Sequence, residues 1–520
     1  MATEFCERSG GGRPQARSRP TRRPPRQGLL FSALYTIFYL FVYCMYTFLR
    51  NYQYKVYSIC QSGVERGVTT MIELRRKMEK RIEAWHASTD RRPLLIRGAR
   101  RTGKTFLIEH VGARLAGTNF VKLDFQTNLN AISSLFDGPT DDVDGIVSRI
   151  GEYKRTRLNP ETALIFLDEV QLDERALNSL RFFADSKWRV IASGSLLGVT
   201  TRQRHLPFPS GVIQEELHPL DFEEFLWAAG ESFMAESIRE HSRTLEPYVL
   251  HEDALSLYRR YLTTGGMPLP VRQWFETHDE AEVALLQREI DETYTADMTD
   301  PGNGISGVSA KRIWDSIPRQ LLRASTKKFK YSDVVRGGRR GRLLEPLEWL
   351  SAAGIVTIHD LTRDTQAPLA PYNDESGSFF KVYVSDTGLM FGKFGVEPSL
   401  VLDRTLSPLL SSDFRGALAE NYVMQSLKAN GLKTFYWMPD ENSGRGEVDF
   451  VFQTRSAEVI PIEVKSARNV SAKSLRKLMR EGHSPYAIRL SEQQFGKSEG
   501  EGGTELRSLP LYAAFCIGAS

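Results

Sequence analysis

The sequence predicts an α/β protein: a parallel sheet with helices on both faces and a helical lid, then a more helical segment, then a mixed α/β domain. Three observations carry this expectation. Between residues 71 and 225, short apolar strands alternate with stretches of helical spacing, the pattern of a parallel sheet. One of those strands runs into a glycine-bounded loop that opens directly into a helix. Near the C-terminus, two further apolar strands carry carboxylates and a lysine at alternate positions.

The chain of 520 residues is too long for one hydrophobic core and implies about three or four units. Apolar residues make up 41% and charged residues 25%, the proportions of ordinary globular protein. A net charge of +4 is too small to imply a nucleic-acid partner by itself. The four cysteines, Cys6, Cys44, Cys60 and Cys516, are far apart and not in pairs, so they suggest neither a disulfide framework nor a zinc knuckle. A reducing cytoplasm suits such a chain.

Residues 1–27, with seven arginines and no lysine, read as a disordered basic N-terminus. Residues 28–49 contain no charge and are long enough to span a bilayer, with the arginines as a cytoplasmic flank. That orientation would put the rest of the chain outside the cytoplasm. The alternatives are a hydrophobic hairpin on the inner leaflet, or sequence upstream of a functional start at Met71. A membrane is a partner only if residues 28–49 are a genuine anchor, and an inner-membrane location rests on the same condition.

Residues 71–225 are expected to form the first folded domain. The apolar strand Pro93–Ile96 precedes Gly98-Ala99-Arg100-Arg101-Thr102-Gly103-Lys104-Thr105, which fits G-x-x-x-x-G-K-[ST], and Phe106–Leu115 follows with helical spacing. Strand, loop and helix in that order cradle polyphosphate oxygens on loop amides and a helix N-terminus. Lys104 then reaches the β- and γ-phosphates, and the Thr105 hydroxyl is a Mg²⁺ ligand. A second strand covers Asn119–Asp124. The apolar strand beginning at Ala163 ends in Asp168 and Glu169: the first holds Mg²⁺ through water, the second polarises the attacking water. Trp188–Ser195 is a further strand, and Ser195 or Ser193 at its end is a candidate sensor of the γ-phosphate. Arg202 and Arg204 are candidates to reach a neighbouring subunit of a homo-oligomer; the plain alternative is a solvated basic loop.

The phosphate loop, LDEVQ (167–171), ASGSLLG (192–198), HPLDFEEFL (218–226) and the Gly265-Gly266-Met267-Pro268 element together resemble an AAA-type ATPase family of bacteria and archaea. In that family the ATPase is fused to a C-terminal region of unknown function. The likeness runs from about residue 71 to about residue 490 and implies ATP and Mg²⁺ as cofactors. Many relatives carry a Gly-Arg pair where this chain has Ser210-Gly211-Val212, so the resemblance supplies no trans-acting arginine here.

Residues 226–304 read as a helical lid. Within 305–400, three helical stretches (310–324, 331–335 and 343–353) and a strand from Gly354 describe a winged helix, as the resemblance also implies. The loop Arg336–Arg342 holds four arginines in seven residues, suited to sequence-blind contact with DNA phosphates or merely solvated. Residues 405–520 form the last domain. Gly446 to Phe452 and Val459 to Lys465 are adjacent strands, so Glu463 and Lys465 point the same way and register can bring Asp449 beside them. Two carboxylates and a lysine are a metal-and-water arrangement. The segment resembles a PD-(D/E)xK nuclease core, with Glu420 as the helix carboxylate. A final strand is expected over Leu509–Phe515.

These expectations amount to a Mg²⁺-dependent ATPase whose nucleotide state controls a winged-helix and nuclease-like region acting on DNA. The rival is a nucleotide-gated switch with an inactive nuclease-like domain, binding DNA or a protein.

Overall fold

Alternation sorts the side chains of the first sheet onto its two faces. The computed structural model describes residues 72–195, 210–323, 327–372, 379–439, 446–465, 473–482, 484–499 and 505–518. The readings made for residues 1–27, 28–49, Met71, Arg202 and Arg204 lie outside them. Strands β1 (Leu94–Arg97), β2 (Phe120–Asp124), β3 (Leu164–Asp168), β4 (Arg189–Gly194) and β5 (Ile213–Glu216) pair in the order β2-β3-β4-β1-β5. Every pairing is parallel. Leu94, Ile96, Leu164, Phe166 and Ile191 pack against helices Lys77–Ala87 and Lys104–Ala116. Leu95, Ile165, Leu167, Val190 and Ala192 turn the other way, onto helices Val143–Lys154 and Glu174–Phe183. Both faces are therefore covered, which explains strands that are apolar throughout rather than alternating.

The strand order matters for chemistry. Because β4 lies between β1 and β3, the loop after β1, the acid pair after β3 and the polar end of β4 converge at the carboxyl edge of the sheet. Ligands of parallel sheets bind at that edge.

Five helices follow: Phe222–Ala228, Ser232–Thr244, His251–Thr264, Pro268–Thr277 and Glu280–Thr299. Next come helices Gly307–Leu321, Tyr331–Val334 and Arg340–Ala352, and the antiparallel strands β6 (Val356–Thr362) and β7 (Phe380–Val384). Arg340 and Arg342 thus stand in the first turn of a helix, and only Arg336 and Arg339 precede it, a correction to the arginine loop expected from sequence.

The C-terminal strands are β8 (Thr434–Trp437), β9 (Val448–Gln453), β10 (Val459–Val464), β11 (Tyr486–Ser491), β12 (Gly496–Glu499) and β13 (Glu505–Pro510). They join β6 and β7 in one mixed sheet, ordered β12-β13-β11-β10-β9-β8-β6-β7. β6 pairs with β8 in parallel, Leu361 opposite Tyr436. The expected division between residues 400 and 405 therefore falls inside a continuous sheet. The helix Ser412–Ala429 lies on this sheet, with Phe414 and all of Ala417–Leu427 buried. The expected terminal strand Leu509–Phe515 is a second correction: the strand ends at Pro510, and Leu511–Cys516 is a 3₁₀ helix. Proline cannot donate to a ladder, so pairing stops there.

A single apolar cluster runs from Ala99 in the glycine-bounded loop through the lid helices, β7 and the helix Ser412–Ala429 to Ile517. Among the described residues no helix is long and apolar enough to cross a membrane.

Candidate functional site

The loop Gly98–Thr105 wraps the N-terminus of the helix Lys104–Ala116. Gly98 has φ +151°, and a Cβ there would stand 2.3 Å from the Leu217 carbonyl oxygen, so any side chain would collide with backbone. Thr102 is buried and its hydroxyl donates to the Ala99 carbonyl at 2.9 Å, closing the loop on itself. Arg76, ahead of the first helix, donates to the Thr102 carbonyl at 3.1 Å and the His218 carbonyl at 2.7 Å. From the lid helix Glu280–Thr299, Tyr294 donates to the Arg100 carbonyl at 2.9 Å, and Asp297 pairs with the Arg100 guanidinium.

Lys104 is 5% exposed and donates to the carbonyls of Gly98 at 2.9 Å and Ala99 at 2.8 Å. Burial pulls its ammonium down to about 8, against the attraction of Glu169 and Asp168. Thr105 donates to Asp168 Oδ1 at 3.0 Å, so the hydroxyl and carboxylate that sequence assigns to one metal ion do stand side by side. Asp168 is further held by Ser193 Oγ at 2.5 Å and by Lys122 Nζ at 3.0 Å.

Glu169 occupies the left-handed region (φ +56°), a costly conformation for a residue with a Cβ. Its carboxylate accepts from Gln171 Nε2 at 2.6 Å, from the Ser195 amide at 3.1 Å, and from Ser195 Oγ at 2.8 and 2.6 Å. Burial alone would push this carboxyl up. The Lys104 charge and the hydrogen bonds from Ser195 and Gln171 prevail and hold it below its ordinary range. Ser195 therefore contacts the proposed base, not the cavity, and Ser193 contacts the proposed metal ligand.

A cavity of about 600 Å³ opens over these groups. Gly103, Lys104, Thr105 and Glu169 line it, together with Phe106, His110, Leu74 and Leu269. Phe106 is 53% exposed and stacks on His110 with centroids 6.2 Å apart, an apolar face of the kind that takes a planar ring. Arg272, from the helix after Pro268, lines the same space. Sequence reasoning passed over Phe106, Arg272, Lys122 and Asp297. The G-K-T pattern leads to Phe106, its next residue, but the other three come from distant segments.

The second cluster forms as register predicts. β9 and β10 are antiparallel with Ile462 opposite Phe450, which brings Asp449 beside Glu463. Asp449 Oδ2 accepts from the Val464 amide at 2.8 Å, and Lys465 Nζ is 2.5 Å from Glu463 Oε1. Glu420 joins from its helix. What sequence missed is two further lysines. Lys327 pairs with Glu420, and Lys381 of β7, wholly buried, stands 2.5 Å from Glu447 and 3.7 Å from Glu420. A lone lysine in the apolar run Phe379–Val384 was the available signal. Burial pushes Asp449 well up, with Glu420 and Glu463 adding to the effect, and burial also raises Glu463 against the pull of Lys465. Burial opposes ionisation of Glu420 too, but Lys327 and Lys381 keep it low.

The two sites differ in how they suit a divalent cation. At the first, Thr105 lines an open cavity with Asp168 hydrogen-bonded to it, a polyphosphate there would supply further oxygens, and the donor set fits Mg²⁺. At the second, protein ammonium groups already pair with Glu420, Glu447 and Glu463. Among the described residues no group of three or more His, Cys, Asp or Glu is arranged to hold a metal ion. As arranged, the second site does not fit one.

Fold and site together define a P-loop nucleotide-binding domain. Residues 90–226 match the AAA domain family, the coarse class the loop and acid pair had implied. Residues 255–399 and 415–510 match two domains of unknown function, DUF8612 and DUF4143. No curated protein matches. Solved structures that align include the Orc1 protein of Aeropyrum pernix in complex with DNA, at 12% identity and TM-score 0.28, covering 66% of this chain and 97% of that one. Cdc6p from Pyrobaculum aerophilum aligns at 14% identity and TM-score 0.21, covering 56% and 90%. AMPPCP-bound DnaA from Aquifex aeolicus aligns at 15% identity and TM-score 0.23, covering 52% and 86%. Likeness this loose supports no inference about this chain.

Proposed function

We propose that the chain is a Mg²⁺-dependent ATPase whose nucleotide state is passed to its C-terminal half, and that this half engages DNA. The observation that carries the first part is that Lys104, Thr105 and Glu169 line one nucleotide-sized cavity, with Asp168 hydrogen-bonded to Thr105 beside it. Lys104 and the loop amides hold the phosphates, and a Mg²⁺ held by Thr105 and Asp168 would supply charge neutralisation there. Asp168, oriented by Ser193, presents one oxygen beside Thr105 for that metal. Glu169, kept ionised, orients the attacking water and accepts its proton. Phe106 and His110 offer the apolar platform for the base.

Support for the second part is a sequence of three helices and an antiparallel strand pair over residues 307–384, with exposed Arg339, Arg340 and Arg342 at the start of the third helix. A cluster of that kind binds phosphate backbone without regard to sequence. The packing of Lys381 among the carboxylates favours the version in which DNA is bound and not cut.

Phosphate release tests the ATPase. Lys104→Ala is expected to abolish binding of a fluorescent ATP analogue. Glu169→Gln is expected to bind it normally and hydrolyse ATP about 100-fold more slowly or worse. Hydrolysis by Glu169→Gln at the wild-type rate would remove Glu169 from its role. Plasmid and linear DNA incubated with Mg²⁺ or Mn²⁺ separate the two versions: cutting lost in Asp449→Ala supports a nuclease, whereas ATP-dependent retention of intact DNA supports the switch.

A further inference from the structure

The carboxylate cluster of the second sheet is unusual in where its cations come from. Lys465 lies one residue beyond β10 and pairs with its near neighbour Glu463. Lys327 comes from the segment before the helix Tyr331–Val334 and pairs with Glu420. Lys381 comes from β7, the strand at the edge of the sheet, and is 0% exposed. A lysine is rarely buried so completely unless it is paired. Its ammonium is 2.5 Å from Glu447 and 3.7 Å from Glu420, with the Tyr436 ring centroid at 5.1 Å. The Tyr383 hydroxyl donates to the same Glu420 oxygen at 3.3 Å.

We infer that Lys381 is the resident cation of this cluster: its ammonium fills the place among Glu420, Glu447 and Asp449 that a divalent ion would otherwise take, and so excludes one. The charge balance supports this. Four carboxylates (Glu420, Glu447, Asp449, Glu463) meet three ammonium groups (Lys327, Lys381, Lys465), leaving at most one net negative charge. Adding a divalent ion would reverse the sign of a buried site with no anion to answer it, which is strongly unfavourable. One oxygen, Glu463 Oε2, is buried without a hydrogen-bond partner. One buried unpartnered oxygen does not by itself make the octahedral set that Mg²⁺ seeks.

The neighbouring side chains tie the lysine to the fold. Lys381 lies opposite His359 of β6, and the His359 ring stacks on Phe450, the residue after Asp449, at 5.0 Å. The ammonium thus pins the β6–β7 pair against the surface formed by β8 and β9. Removing it leaves uncompensated carboxylates with room for a metal.

The test is Mn²⁺ binding by the full chain without nucleotide, followed by electron paramagnetic resonance. Wild type and Asp449→Asn are expected to bind Mn²⁺ identically, because no ion sits at Asp449. Lys381→Met is expected to gain a site that binds Mn²⁺ about ten-fold or more tightly than anything at that place in wild type, and that Asp449→Asn then removes. An Asp449-dependent Mn²⁺ site in wild type would overturn the inference, and so would a folded Lys381→Met that gains none. Should Lys381→Met fail to fold, the wild-type and Asp449→Asn comparison decides alone. Phosphate release, with its dependence on Glu169, reads the ATPase proposal separately.

Discussion

Glu169 is held in a conformation that its own backbone resists, and three hydrogen-bond donors explain why it stays there. Ser195 supplies its amide and hydroxyl and Gln171 its side-chain amide, so the left-handed backbone at +56° is set by the carboxylate's partners. Hydrogen bonds to the charged form also keep the carboxyl ionised. Its contribution to stability is complete above the ordinary value of 4.5 and is lost as pH falls through the lower folded value. Ser195→Ala removes the hydroxyl and keeps the amide. The acid limb of the pH profile for ATP hydrolysis is expected to move up by roughly one unit. A limb that does not move would show that Ser195 leaves the base alone. Sequence placed Ser195 at the end of the right strand but assigned it the phosphate as partner. Only strand order reveals that β4 sits next to β3, which makes Glu169 its neighbour.

At the scale of elements, the lid and the second sheet meet through Asp386, which is 0% exposed. One oxygen accepts from the Leu389 amide at 2.9 Å and caps the helix Thr387–Gly392; the other accepts from the Gly266 amide at 2.6 Å. Burial pushes the carboxyl up to about 6. Asp386→Ala strands two buried amides and is expected to cost about 2–4 kcal/mol in urea unfolding. Asp386→Asn keeps one acceptor and should cost about half as much. The folded carboxyl titrates above its ordinary 3.8, so its contribution falls as pH rises through about 6, and Asp386→Asn should erase that step. An unfolding midpoint unchanged in Asp386→Ala would refute the role. Such contacts also mark the limit of legibility. The loop Gly98–Thr105, the pair Asp168 and Glu169, and the facing of Asp449 and Glu463 were readable because each depends on local spacing or strand register. Asp386 on Gly266, Asp297 on Arg100 and Lys381 on Glu447 join segments far apart in sequence, and no periodicity records them. The arginines at 340 and 342 look like loop residues beside Gly337, Gly338 and Gly341, yet the helix begins among them.

Across the whole molecule, the phosphate-binding loop touches the C-terminal half directly. Gly354, in the turn between the helix Arg340–Ala352 and β6, has φ +74°, and a Cβ there would lie 3.2 Å from the Ala99 amide nitrogen and 3.6 Å from its Cβ. Ala99 belongs to the apolar cluster that continues to Ile517, so displacement of the loop meets well-packed side chains. Lys428, from the helix on the second sheet, adds a polar tie: its ammonium is 3.7 Å from Glu216 and donates to Thr357 at 3.2 Å. These contacts are the route by which the proposed nucleotide signal would reach β6, and any coupling between two sites is reciprocal. Gly354→Ala places a methyl against the loop and forces a positive φ on a residue with a Cβ, costing about 1–2 kcal/mol of stability. The decisive measurement is DNA retention with and without ATP. Wild type is expected to change its retention when ATP binds. Gly354→Ala, confirmed as folded, should still bind ATP several-fold more weakly while its retention responds little to nucleotide. If the folded variant keeps the full ATP-dependent change, the turn at Gly354 does not transmit it. Coupling would then have to run through the lid, where Asp297 holds Arg100 and Asp386 holds Gly266.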